Sequence, residues 1–284
     1  MSELHAPAPA YFFSDAHLGA DTAAVERVKR DRLAGFFDLV AGRARSLVCL
    51  GDLFDFWFEY ETAIPGRHFD VLCRLRRLSE AGVQLFFLGG NHDFWVRRGS
   101  RPGFLEREIG FRILEQGDEI VAGGLRVAVF HGDGVGKRDA GYRALKALLR
   151  NRLAIESFRW VHPDLARGIG GLVADASRLR TGNRPDPATV ERLRRFAVAL
   201  LRARPDLDAI LAGHTHLPEE LAVGGARYIN LGDWIHHATY AVVEDGTLAL
   251  RRFPHAAGPV APADEPAARA GGQALRPPDS GIEP

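Results

Sequence analysis

Seven side chains able to bind a cation recur in a fixed order along this 284-residue chain. They are Asp15 and His17 in Asp-Ala-His, Asp52 in Gly-Asp-Leu-Phe-Asp, Asn91 in Gly-Asn-His-Asp, His131 in His-Gly-Asp, and His214 and His216 in Gly-His-Thr-His. All offer oxygen or nitrogen and none offers sulfur. Such a set suits borderline or hard divalent ions such as Mn²⁺, Fe²⁺ or Zn²⁺ better than a thiolate-type structural site. There are enough donors for two ions sharing one carboxylate, and a two-ion centre clamps both attacking and leaving oxygens of a phosphoryl transfer. Each fragment alone is commonplace, since Asp and Gly populate turns everywhere. Alternating histidines after a strand seldom serve packing, and the ordered assembly of all five fragments carries the chemical reading.

The elements that must position these residues are legible in the same stretches. Each fragment follows a short apolar run of strand length: Tyr11 to Ser14, Ser46 to Leu50, Val83 to Leu88, Leu125 to Phe130 and Ala209 to Ala212. Helical spacing over Thr22 to Gly42 and Phe69 to Ala81 separates the first three runs. Strand, helix, strand predicts a partly parallel, buried sheet with its ligands at the strands' carboxyl ends. Between Gly134 and Pro205 the strand signal stops, and Arg138 to Arg150 and Pro187 to Arg204 show helical spacing. Asp186 before Pro187 forms an N-cap and first-turn pair, and Pro205 stops that helix. This section, about 134–205, reads as an inserted helical cap. Four later runs, Glu219 to Val223, Arg227 to Leu231, Tyr240 to Val243 and Leu248 to Phe253, predict antiparallel strands. The main domain thus spans 10–254, and the Ala-, Pro- and Gly-rich tail over 255–284 is expected to be disordered.

Composition sets the outer limits. With 46% apolar, 26% charged and 9% aromatic residues, the chain is of ordinary globular type, not disordered, collagen-like or disulfide-stapled. No run approaches the ~20 apolar residues of a membrane-spanning helix. Met1 to Ala10 has neither a basic start nor an apolar run, so no secretory signal is expected and the predicted location is cytoplasmic. Two cysteines, Cys49 and Cys73, fit a reduced compartment, with Cys49 expected in the core. A net charge of +1 argues against nucleic-acid binding. Yet 137–204 holds sixteen Lys or Arg against six Asp or Glu. That excess either faces a phosphate or an anionic membrane surface, or simply solvates helix faces.

The ordered set of fragments resembles the calcineurin-like metallophosphoesterases, from Tyr11 to about Phe253. The resemblance implies an α/β fold of two packed β-sheets flanked by helices. It also implies one metal held by Asp15, His17, Asp52 and His216, and a second by Asp52, Asn91, His131 and His214. Mn is the expected metal at both positions, with Fe, Zn or Mg as alternatives. His92 matches the family's non-ligand histidine, which contacts the scissile phosphate; it either protonates the leaving group or orients a neighbouring carboxylate. The catalytic set so implied is His92, Asn91 and Asp52, with Asp93 orienting its neighbours.

Two further stretches are similar to the bacterial UDP-2,3-diacylglucosamine diphosphatases of lipid A synthesis. These are Gly51-Asp52-Leu53-Phe54-Asp55-Phe56-Trp57, and His131-Gly132-Asp133 followed by Asp139-Ala140-Gly141-Tyr142-Arg143. The similarity implies a nucleotide-linked glycolipid phosphoanhydride as substrate, with UMP and a diacylated sugar phosphate as products. It places Asp139 and Tyr142 at the substrate, and Arg178 and Arg180 are candidates for gripping its phosphates. One departure is clear: the well-studied branch has Gly-Asn-Arg-Asp where this chain has Gly-Asn-His-Asp, and a permanent bidentate cation is not a proton carrier. Phe54, Phe56, Trp57, Phe58, Phe94 and Trp95 either line an acyl-chain cleft or roof the core. Basic, apolar helices in the cap would allow peripheral contact with the inner face of the cytoplasmic membrane. The rival readings are a phosphodiesterase or nucleotide pyrophosphatase of soluble substrates, and a non-catalytic protein-binding scaffold of the same fold.

Overall fold

The computed structural model describes residues 3–60, 63–96, 101–135, 151–163, 165, 168 and 186–254. The first seven strands are β1 (Leu4–His5), β2 (Ala10–Phe13), β3 (Ser46–Cys49), β4 (Gln84–Leu88), β5 (Phe111–Leu114), β6 (Glu119–Ala122) and β7 (Leu125–Phe130). Then follow β8 (Ala209–Ala212), β9 (Pro218–Val223), β10 (Ala226–Leu231), β11 (Thr239–Glu244) and β12 (Thr247–Arg252). Helices α1 (Ala23–Arg43) and α2 (Phe69–Glu80) lie where the apolar spacing predicts them. Further on come α3 (Arg152–Phe158) and α4 (Pro187–Ala203).

These strands form two six-stranded sheets, ordered β12-β11-β2-β3-β4-β5 and β1-β6-β7-β8-β10-β9. The run β2-β3-β4-β5 is parallel, as are β7-β8 and β8-β10. The hairpins β9-β10 and β11-β12 are antiparallel. Side-chain alternation along β2 shows how the layers are built. Tyr11 and Phe13 join Leu47, Cys49 and Phe87 in a core beneath α1 and α2. Ala10 and Phe12 point the other way, joining Val48, Leu50 and Phe86 against Val127, Val129 and Leu211 of the second sheet. With both faces covered, β2 and β3 are apolar but for Ser46, whose hydroxyl donates to the Pro7 carbonyl, so they read as continuous runs rather than alternating ones.

Helix α4 covers the outer face of the second sheet, burying Leu193, Ala197 and Leu201 against Ile210, Ala212 and Tyr228. It leads from β7 to its parallel neighbour β8, and is seated on the body of the molecule. Its start is capped as the sequence predicts: the Asp186 carboxylate accepts from the Ala188 and Thr189 N–H groups, with Pro187 at the first helical position. The segment Arg138 to Arg150 and the tail 255–284 lie outside the described residues. Strand register sets the rest. Phe13 pairs with Cys49, Cys49 with Phe87, and Phe130 with Ala212, so all five fragments leave their strands along one edge of the double layer.

Candidate metal centre

Beyond the strand ends the chain holds its donors on a tightly knit set of loops. Asp15 N–H donates to Gly51 C=O at 3.0 Å and His17 N–H to Asp52 C=O at 2.9 Å, which extends the β2-β3 pairing into the loops. Gly213 N–H donates to His131 C=O at 2.9 Å, joining the β7 and β8 ends. Five donors occupy the left-handed backbone region: Asp15 (φ 55°), His17 (43°), Asp52 (53°), His214 (69°) and His216 (58°). Such conformations cost of order 1–3 kcal/mol each outside glycine and persist where surrounding structure enforces them. The motif glycines have a different reason. A Cβ on Gly90 would strike the Asp52 carboxylate, and one on Gly213 the Asp15 carboxylate.

The side chains converge. His17 Nε2 lies 3.0 Å from His216 Nε2, 3.8 Å from Asp15 Oδ1 and 3.5 Å from Asp52 Oδ2. His216 Nε2 is 3.4 Å from Asp15 Oδ1. On the other side, His131 Nε2 is 3.3 Å from Asp52 Oδ2 and 3.1 Å from Asn91 Oδ1. His214 stands beside it, ring centroids 5.2 Å apart, and its backbone N–H donates to the Asp15 carboxylate. Asp52 Oδ2 therefore faces both groups. Donors about 2.1 Å from a common ion stand roughly 3–4 Å apart, so these separations fit two cation positions meeting at Asp52. The fit also rests on chemistry, because the two imidazole nitrogens that face each other at 3.0 Å stand among carboxylates, a donor set of the kind a divalent ion binds.

Electrostatics sharpen the picture. Burial opposes charge on the His17 imidazole, but the Asp15 and Asp55 carboxylates outweigh it and hold it up at about 10. Burial likewise opposes charge on His131, and Asp52 raises it to about 10. Burial also opposes ionisation of Asp15 and Asp52. The nearby imidazoles of His17 and His216 hold Asp15 well below the usual carboxylate range, and the charges of His131 and His92 do the same for Asp52. His214 is pushed down to about 4 by burial and by the His131 charge, so it stays neutral. Asp15 and His131 are fully enclosed, whereas His92 and His216 side chains are 16% and 34% exposed. The open side of the centre is theirs.

Of the residues predicted from sequence, Asp15, His17, Asp52, Asn91, His131, His214 and His216 are brought together, and His92 stands at the rim with its ring 4.7 Å from His17. His92 Nδ1 is 2.9 Å from the Asp55 carbonyl and 3.4 Å from its carboxylate. Asp93 orients its neighbours, accepting from the Asp52, Gly90 and Phe54 N–H groups. Burial and the Asp52 charge raise it to about 6. Asp139, Tyr142, Arg178 and Arg180 lie outside the described residues.

The aromatics divide by burial. Phe54, Trp57 and Phe58 are buried in the core, while Phe56, Phe94 and Trp95 are half-buried. Trp95 stacks on Phe158 of α3 at 5.5 Å. Sequence reasoning gave no role to Asp55, nor to two braces. Gln116 accepts from His131 N–H and donates to Gly89 C=O. Asn230 donates to Gly213 C=O. Isolated amides in loops and strands carry no motif.

The profile of the calcineurin-like phosphoesterases matches residues 8–218. A protein of Porphyromonas gingivalis described as a UDP-2,3-diacylglucosamine hydrolase is 34% identical, over 84% of this chain and 95% of that relative. Proteins of the same description from Pseudomonas savastanoi and Pseudomonas putida are 30% and 31% identical, each over 84% of this chain and covering 94% and 97% of the relative. The chain belongs to the calcineurin-like phosphoesterase family.

Proposed function

We propose that this protein hydrolyses a phosphoanhydride with two divalent ions, releasing UMP and 2,3-diacylglucosamine 1-phosphate from UDP-2,3-diacylglucosamine. One observation carries the reading. A single carboxylate oxygen, Asp52 Oδ2, faces two donor groups at once, in a chain whose relatives are described as hydrolases of that compound. Asp15, His17, Asp52 and His216 would hold one ion, and Asp52, Asn91, His131 and His214 the other, with Mn²⁺ as the expected metal. Ions bound there would supply Lewis acidity toward the phosphoryl oxygens and lower the pKa of water.

The chain's own residues do the rest. Asp15, Asp52 and His131 are closed off from solvent, so the substrate's diphosphate is received on the open rim between His92 and His216. Breaking the anhydride leaves charge on the departing phosphate oxygen, which a proton relieves. His92 supplies it: burial opposes its charge, but Asp52 and Asp55 raise its pKa, and the Asp55 carbonyl beside Nδ1 leaves Nε2 to donate. The half-buried rings of Phe56, Phe94 and Trp95, packed on one another, offer apolar surface to acyl chains in this reading. Asp139, Tyr142, Arg178 and Arg180 complete the substrate contacts in this reading. Bilayer contact belongs to it too, placing the protein on the inner face of the cytoplasmic membrane. Trp160 and Leu165 present 92% and 65% of their surface to solvent on the segment after α3.

The test is an assay of the purified, Mn²⁺-loaded protein against UDP-2,3-diacylglucosamine, bis(4-nitrophenyl) phosphate and free nucleotides. UMP release from the glycolipid, with little turnover of the others, is expected. Brisk hydrolysis of the soluble esters without UMP would instead assign a soluble-substrate phosphodiesterase.

A further inference from the structure

Lysine is scarce in this chain, three residues against thirty-four arginines, and the one lysine among the described residues is buried. Lys29 lies on α1 with 1% of its surface exposed, on a helix face that otherwise buries Arg32, Leu33, Phe36, Phe37 and Val40. Its ammonium has three protons and meets three acceptors: the His17 carbonyl at 2.6 Å, Asp21 Oδ2 at 2.8 Å and Glu26 Oε1 at 2.6 Å. A compact ammonium can satisfy three acceptors spread around it, whereas the planar fork of arginine cannot. That accounts for a lysine here in an arginine-rich chain. The two carboxylates offset the penalty of burying the charge. They also leave one donor for a backbone carbonyl, and that carbonyl belongs to His17.

His17 needs such a hold. Its backbone is left-handed, at φ 43°, and its ring must keep Nε2 within 3.0 Å of His216 and 3.5 Å of Asp52. Arg32, nearly one turn further along α1, donates to the Ile235 carbonyl at 2.6 Å, and the preceding residue, Trp234, donates its N–H to the Asp15 carbonyl at 3.1 Å. One helix thus grips the Asp15–His17 loop at both ends, directly at His17 and through the 234–235 loop at Asp15.

We propose that Lys29 is a positioning residue for the cation site built on His17. It fixes the ligand's strained backbone so that the imidazole is already aimed when the ion arrives. The inference rests on the reading of Asp15, His17, Asp52 and His216 as a cation site. It predicts that loss of the ammonium weakens one of two binding steps and spares the other.

The experiment titrates Mn²⁺ into the chelator-stripped full chain, by calorimetry and by the spectrum of free Mn²⁺, for wild type, Lys29→Met, Lys29→Arg and Asp21→Asn. Wild type is expected to bind two ions. Lys29→Met should keep its circular dichroism while one step weakens about 10- to 100-fold, the range seen when a group holding a metal ligand is removed. At saturating Mn²⁺ its kcat should recover with KM for substrate unchanged. Lys29→Arg should not restore the weakened step. Asp21→Asn, at a side chain 32% exposed, tests the same link without threatening the fold and should weaken the same step less. Two ions bound by Lys29→Met and Asp21→Asn as tightly as by wild type, or both steps weakened equally, would overturn the role of Lys29. Wild type failing to bind two ions would instead overturn the cation site itself.

Discussion

An imidazole between carboxylates holds its proton hard, and His17 and His131, both held up at about 10, are protonated at pH 7 in the metal-free protein. A cation can take their nitrogens only by displacing those protons. Mn²⁺ loading at pH 7 should therefore release about two protons per protein, visible when the calorimetric heat changes with the ionisation enthalpy of the buffer, and affinity should fall as pH falls. Buffer-independent heats would show that the imidazoles are not the groups being displaced. Substituting a donor from either group has a harsher result. Asp52→Ala and His131→Ala should lose several kcal/mol of barrier lowering, about a thousandfold or more in kcat, rather than raise KM alone. At this scale the sequence was most informative. Motif order alone named the donors that converge, because charged and imidazole side chains after buried strands have few structural uses. Gln116 and Asn230 escaped notice because an amide bracing a carbonyl has no distinctive neighbours in sequence.

Elements were legible in proportion to how simply they bury apolar surface. Helix α2 shows a clean stripe of Val71, Leu72, Leu75 and Leu78. Helix α1 is far less amphipathic, since its buried face includes the cations Lys29 and Arg32, and its spacing is carried by Leu33, Phe36, Phe37 and Val40. Strands β5 and β6, four residues each with mixed exposure, gave no usable alternation and were not foreseen. Two predictions belong here. His68, in the 3₁₀ turn before α2, is buried against Phe54 and Trp57, and burial and the Arg30 charge press its pKa down to about 3. A base depressed from 6.5 contributes stability that is present above about pH 6.5 and lost as pH falls toward about 3. Urea unfolding at pH 7 and pH 4.5 should show His68→Leu losing roughly 2–3 kcal/mol less than wild type over that interval. Asp186→Ala removes the α4 cap and should cost about 1 kcal/mol in the same measurement, with kcat unchanged.

For the whole molecule, two sheets packed face to face bring the ends of β2, β3, β4, β7 and β8 to one edge, which is why residues two hundred positions apart share a site. The α/β class followed from strand–helix alternation and the second sheet from the resemblance. The placing of β8 beside β7 and of β10 beside β8, by contrast, depends on long-range register that no local pattern records. The described residues include no helix long and apolar enough to cross a membrane. Trp160→Ser should reduce co-sedimentation with anionic phospholipid vesicles several-fold while leaving hydrolysis of a soluble ester intact. Unchanged sedimentation would remove that part of the molecule from the contact. The most direct test of the two-ion centre is diffraction from Mn²⁺-loaded crystals at the manganese edge. Two anomalous peaks about 3.5–4 Å apart, both against the Asp52 carboxylate, are expected. A single peak, or peaks away from Asp52, would contradict it.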